Sequence, residues 1–359
     1  MGRLIVDAIF NKDENRILTW SNDGTARLWN SSTGQELLPP LKHEGEVLGA
    51  MFNKDESRIL TWSNDGTARL WNSSTGQELL PPLEHKGEMF SGREVLGAVF
   101  NKDESRVLTW SNDGTARLWN SSTGQELLPP LKHEGEVKGA MFNKNESRIL
   151  TWSNDGSARL WNSNTGQELF LPLKHNNWVR GAIFNKNESR ILTWSNDGTA
   201  RLWNSSTGQE LLPPLKHEGE MFGEREVLGA VFNKDESRIL TWSNDGTARL
   251  WSSSTGQELF LPLKHKEVVR NALFNKNESQ ILTWSYDGTA RVWDSITGQE
   301  LLPPLKHEDE VQEAMFSKDE SRILTWSNDG TARLWNSSTG QELLPPLKHE
   351  GEVLGAMFN

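Results

Sequence analysis

"TWSNDGTARLWN" occupies Thr19–Asn30, and the same twelve residues return at Thr61, Thr109, Thr193 and Thr325. Single-residue variants begin at Thr151 and Thr241, and a looser copy, "TWSYDGTARVWD", begins at Thr283. The second tryptophan of each copy gives the period: Trp29, Trp71, Trp119, Trp161, Trp203, Trp251, Trp293 and Trp335 are separated by 42, 48, 42, 42, 48, 42 and 42 residues. The two longer gaps hold related six-residue insertions, "MFSGRE" at Met89–Glu94 and "MFGERE" at Met221–Glu226. Eight units near 42 residues fit the blades of a β-sheet ring, and no apolar pattern at i, i+3, i+4 supports a helical repeat.

One unit spells four strands. In the second copy "EVLGAMFN" (Glu46–Asn53) is the first and "RILTWS" (Arg58–Ser63) the second, joined by a polar turn. "NDG" (Asn64–Gly66) is a tight turn whose glycine accepts positive φ, and "TARLWN" (Thr67–Asn72) is the third strand. "ELLPPL" (Glu78–Leu83) is the fourth. Its proline pair cannot donate ladder hydrogen bonds, which puts it at a sheet edge, on the outer rim. The small residues of strand one suit the crowded centre of a ring.

The expectation is an all-β chain folded as a single closed eight-bladed β-propeller over 1–359, with four antiparallel strands per blade. The blades are expected at 3–43, 46–85, 95–133, 137–175, 179–217, 227–265, 269–307 and 311–349. A surplus inner strand at 352–359 repeats strand one and is expected to clasp the first blade or to pair with another chain. His349 is placed to complete the first blade.

The bulk composition excludes several classes. No cysteine is present, so no disulfide, thiolate metal site or cysteine nucleophile exists. A formal net charge of −11 argues against a duplex nucleic-acid binder and against an anionic membrane surface. No run of about 18 apolar residues is found, and the first residues do not read as a signal peptide. The expected location is cytoplasmic.

The unit resembles the WD-repeat β-propeller family, in the bacterial form with near-identical blades. The resemblance rests on Lys42-His43, the turn residue Asp65 and Trp71-Asn72, and it extends over nearly the whole chain. It implies a structural tetrad in each blade, which in the second is His43, Thr61, Asp65 and Trp71. The same four types recur in the later blades, as at His217, Thr241, Asp245 and Trp251. Independently of any family, an indole N–H, a hydroxyl, an imidazole and a carboxylate can satisfy one another while buried. A pattern repeated in every blade serves packing, so no catalytic residue, metal ligand or cofactor is expected and the chain is not expected to be an enzyme.

Three departures stand out. Lysine replaces the family's glycine before most histidines. Asparagine replaces the aspartate of Trp-Asp in all copies but two, which carry Trp293-Asp294 and Trp251-Ser252. A tryptophan, Trp62 in the second copy, always follows the strand-two threonine. Its bulk beside a blade interface suggests more room between blades and a ring wider than seven.

Positions that break the repeat are the candidates for function. They are Met89, Phe90, Met221 and Phe222 in the insertions, Trp178 before strand one, Lys138, Arg180 and Arg270 at its second residue, and Tyr286 before the turn aspartate. Aromatic anchors with arginine on one face have the composition of an interface core. The expected function is a non-catalytic scaffold or sensor module that binds a protein or peptide on its top face, with an acidic partner favoured by Lys138, Arg180 and Arg270. By the resemblance, such a module is often part of a larger signalling protein. The alternatives are a self-associating structural array without a ligand, and an enzyme or cofactor-holding ring. A monomer is expected, with a strand-swapped oligomer as the alternative; neither nucleic acid nor membrane is expected as a partner.

Overall fold

The computed structural model describes residues 5–87, 92–218, 225–351, 353 and 355–358. All regular structure in them is β, arranged as eight four-stranded antiparallel sheets whose strands pair in sequence order. The fold is a β-propeller of eight blades. The chain divides into two compact units, Met1–Lys174 with blades one to four and His175–Asn359 with blades five to eight.

Blade two shows how the sequence builds a sheet. Its first three strands are Val47–Phe52, Arg58–Ser63 and Thr67–Asn72. Strands one and two run in register from Gly49 opposite Trp62 to Phe52 opposite Ile59, with a bulge between Val47 and Gly49. Gly66 closes the turn between strands two and three at φ 89°, a region open to glycine at little cost. The fourth strand is shorter than the sequence suggests. It consists of Leu83–Glu84 alone, preceded by an isolated bridge between Trp71 and Glu78. Pro81 and Pro82 lie between the two, and their missing N–H groups interrupt the ladder.

Successive blades within each unit pack in the same way. Leu60, Ala68, Leu70 and Leu83 of blade two meet Val95, Ala98, Val107 and Trp119 of blade three. Equivalent clusters join blades five and six, six and seven, and seven and eight. Arg16, Arg58, Arg106, Arg190 and Arg238, each opening a strand two, stack on the phenylalanine that ends strand one of the next blade, Arg58 on Phe100 at 5.2 Å.

A further clasp was not anticipated from the sequence. Glu56 adopts φ 60° in the polar turn after strand one, a left-handed conformation that costs a non-glycine residue about 1 kcal/mol. In that geometry its carboxylate accepts hydrogen bonds from Asn11 Nδ2 and the Lys12 backbone and pairs with Arg16 at 2.7 Å, all in the preceding blade. Glu104, Glu146, Glu236, Glu278 and Glu320 repeat the φ value and the reach to an asparagine of the blade before. These bonds offset the backbone cost. The residue type alone gives no cue to them, because glutamate is an unusual choice for this region.

The tryptophan after the strand-two threonine is accommodated inside its own sheet. A Cβ added to Gly49 would lie 2.0 Å from the Trp62 ring, and the same holds at Gly97, Gly139, Gly181 and Gly229 to within 0.1 Å. The indole therefore lies flat across the glycine opposite it. Strand one needs its small residue for this ring, a reason additional to the crowded centre that the sequence suggested. Where the glycine is replaced, by Asp7, Asn271 or Glu313, the facing Trp20, Trp284 or Trp326 is buried in the apolar cluster, against which the glycine-facing Trp62, Trp110, Trp194 and Trp242 are only half-buried. Trp284 is then 1% exposed, and its Nε1 has no hydrogen-bond partner. Substituting Gly229→Asn should thus turn Trp242 into the position Trp284 occupies. The expected cost is about 1–2 kcal/mol, below that of a true overpacking clash, because a second place for the ring exists. A crystal structure of the variant with Trp242 unmoved would contradict this account.

Candidate functional site

In each of blades two to eight the tetrad forms one hydrogen-bonded relay. In blade two Trp71 Nε1 donates to Thr61 Oγ1 at 2.8 Å, Thr61 and His43 Nε2 are 2.7 Å apart, and His43 Nδ1 meets Asp65 Oδ2 at 3.0 Å. With the threonine hydroxyl donating to Nε2, the imidazole carries its proton on Nδ1 and gives it to the carboxylate. The strands place these groups: threonine and tryptophan come from neighbouring strands two and three, aspartate from the turn between them, and histidine from the residue after strand four of the preceding sheet, as His43 follows Leu41–Lys42. Asp65 also caps its own turn, accepting from the Thr67 backbone at 2.8 Å and hydroxyl at 2.7 Å.

Blade six shows the electrostatics at greatest depth. The side chains of His217 and Asp245 are fully shielded from solvent. Burial lowers the His217 pKa, and the hydrogen bond and charge of Asp245 recover only part of the loss, so the ring is neutral. Burial pushes Asp245 up, but its interactions with His217 and Thr247 outweigh it and bring the carboxyl to about 2. A neutral histidine donating to a carboxylate, rather than a charged pair, therefore describes the 3.3 Å contact. His217, Asp245, Thr241 and Thr247 are thus engaged with one another within the blade. Blade one differs. Trp29 Nε1 donates to Thr19 Oγ1 at 2.9 Å, but Thr19 bonds the Arg27 carbonyl at 3.5 Å.

The pattern-breaking residues fall into separate groups. Met89, Phe90, Met221 and Phe222 lie outside the described residues. In the second unit Trp178 is 49% exposed, whereas the sixteen repeated tryptophans are buried or half-buried. Tyr286 is 37% exposed, and Arg270 stacks on its ring at 5.6 Å while donating to its hydroxyl at 3.4 Å. Arg180 is engaged by Glu226 and by Asn196. In the first unit Lys138 pairs with Glu136. Glu313 lies near Arg270; burial raises its pKa and the arginine partly counters that. Each candidate cation thus has an acidic neighbour within the chain. The sequence reading argued an acidic partner from the cations and did not foresee their pairing with Glu136 and Glu226.

A model of the WD domain, G-beta repeat family matches residues 168–204 and 259–294. No curated protein matches the chain. Among solved structures, the chain is similar to the crystal structure of the computationally designed Ika8 protein, with 28% identity, a TM-score of 0.64, and coverage of 92% of this chain and 96% of that one. It also resembles the C-terminal WD40 domain of Sif2, at 18% identity, a TM-score of 0.58 and 78% coverage of both chains; at that identity the likeness concerns the fold alone. The family-model matches, the Trp–Thr–His–Asp relay and the eight four-stranded blades together make this chain a member of the WD-repeat β-propeller family.

Proposed function

We propose that the protein is a non-catalytic scaffold that binds a protein or peptide through residues near the start of strand one, with Trp178 as the central anchor. The observation that carries this is the exposure of Trp178, because every other tryptophan of the chain is committed to packing. A large amphipathic ring in water offers contact area at low entropic cost. Tyr286, held by Arg270, supplies a second preset aromatic surface in the same unit. The paired state of Arg180 and Lys138 favours a partner that reads aromatic faces and hydrogen bonds over one recruited by net charge. WD-repeat propellers are commonly interaction modules, and the engaged, shielded His–Asp pairs support a role without chemistry.

The test takes the full chain as bait in its native lysate, identifies the captured protein, and measures its affinity by calorimetry. Trp178→Ala is expected to weaken binding about 10- to 100-fold, as the loss of an aromatic hot spot does. Tyr286→Asn, which restores the repeat's usual residue, should weaken it less. An affinity unchanged by both would place the binding elsewhere on the molecule.

A further inference from the structure

In the first unit the seam between blades three and four ends in a pocket. Its volume is about 650 Å³, inside the ~300–1,000 Å³ range of small-molecule sites. The wall is apolar and comes from both blades: Val99, Phe100 and Trp110 from blade three, Ala140, Met141 and Phe142 from blade four. Apart from Ala140, each of these is only half-buried, whereas Leu108, Val137 and Ile149 in the same seam are fully buried. The apolar surface that this seam does not finish burying thus lines one space.

Val99 makes the room. The equivalent residue is Met51 in blade two, Met141 in blade four, Ile183 in blade five, Leu273 in blade seven and Met315 in blade eight; valine returns only at Val231 of blade six. Val99 is shorter than these others, and it packs beside Trp110 and Phe142 at this seam. The walls are preset. Arg106 stacks on Phe142 at 5.4 Å and Arg58 on Phe100 at 5.2 Å, and Trp110 lies across Gly97, where a Cβ would come 2.0 Å from its ring. The end at which both first strands finish is polar. Lys102 and Lys144, each the second residue after strand one of its blade, line the pocket there and are exposed. The carboxylate on the same rim, Glu146, accepts hydrogen bonds from Asn101 Nδ2 at 3.0 Å and from the Lys102 backbone, and pairs with Arg106 at 3.5 Å. Its charge is met by Arg106, and the two lysines make the rim cationic.

We propose that this pocket binds an aliphatic monocarboxylate, with the hydrocarbon chain between Phe100, Trp110, Met141 and Phe142 and the carboxylate on Lys102 and Lys144. Apolar walls bury such a chain, and a few polar groups at one end fix its direction. The cationic rim selects an anion, and Glu146 disfavours a head group with two negative charges. Burial of the chain supplies most of the attraction, because ion pairs in water add little on their own. The site uses none of the residues assigned to partner binding and does not depend on their role.

Calorimetric titration of the full chain with decanoate and with decanol tests this. Saturable binding of decanoate is expected, and decyl phosphate, nearly dianionic at neutral pH, should bind more weakly. Val99→Met restores the residue of blades two, four and eight and extends it into the pocket. It should weaken decanoate and decanol alike by about tenfold or more, as added bulk in an apolar pocket does. Replacing Lys102 and Lys144 together by glutamine should weaken decanoate several-fold and leave decanol unchanged. In the unmodified chain the methyl resonance of Met141, assigned by its loss in Met141→Leu, should shift on saturation with decanoate; this measurement decides if Val99→Met fails to fold. No saturable binding up to about 1 mM decanoate, an affinity untouched by Val99→Met, equal losses for both ligands in the lysine variant, or an unmoved Met141 resonance would each overturn the proposal.

Discussion

Replacing Trp251 with alanine should cost about 3–5 kcal/mol, the range for truncating a large buried aromatic. The ring is 6% exposed and fills the seam between blades five and six beside Leu192, Ala200, Leu202 and Leu215. Its Nε1 is also the donor to Thr241, a fully buried hydroxyl at 2.9 Å. Truncation thus opens a cavity and strips one end of the relay. Trp178→Ala removes the same number of atoms from an exposed position and should change stability by less than about 0.5 kcal/mol. Denaturant unfolding of the two variants makes the comparison, and equal losses would show that Trp251 is not held as described. Hydrogen exchange should localise the damage to blades five, six and seven, because repeat stability is built from nearest-neighbour terms.

Acidification should destabilise the protein from about pH 6.5 downward, well before its carboxylates protonate. Burial holds the pKa values of His85, His175, His217, His265 and His307 below normal. An unfolded histidine takes up its proton near pH 6.5 while the folded ones resist. The stability due to the neutral rings is therefore complete above that value and is lost as pH falls below it, by about 1.4 kcal/mol per pH unit for each ring that is protonated only on unfolding. The aspartates add a second loss of the same sign at lower pH. Asp113, Asp155, Asp197, Asp245, Asp287 and Asp329 are all depressed in the fold despite burial, chiefly by bonds and charge from their histidines and by bonds from the following hydroxyls and backbone. Their contribution is present above about pH 4 and disappears beneath it. Urea midpoints measured from pH 8 to pH 3.5 should be flat, then fall. A midpoint constant between pH 7 and pH 5 would mean that the histidines are protonated in the fold.

Much of this architecture is legible in one repeat. Arg58–Ser63 and Thr67–Asn72 are strands with the bounds their sequence indicates, because alternating apolar residues and an Asp-Gly turn specify both register and reversal. Glu78–Leu83 is misread because propensity counts Leu79 and Leu80 as strand formers while the ladder depends on N–H groups that Pro81 and Pro82 lack. The tryptophan at Trp62 signals a steric demand, and the eight blades agree with the ring wider than seven that it suggested, although the seat of the indole is not legible. The bulk is absorbed by Gly49 across the same sheet, a cross-strand pairing visible only once the bulge at Val47 fixes the register. The cations Lys138, Arg180 and Arg270 are legible as exceptions. Their carboxylate neighbours are not, since Glu226 approaches Arg180 across 46 positions of sequence.

The uniform seams also bear on heredity. Within each unit, one blade joins the next through the same leucine–valine contacts, the same arginine–phenylalanine stack and the same glutamate reaching back to an asparagine. A misaligned recombination between two copies of the coding repeat adds or removes 42 codons in frame. Every new junction it creates is one the protein already knows how to make. Blade number can then change in a single genetic event, whereas a partner-binding residue such as Trp178, which exists in one copy only, is carried or lost with its blade.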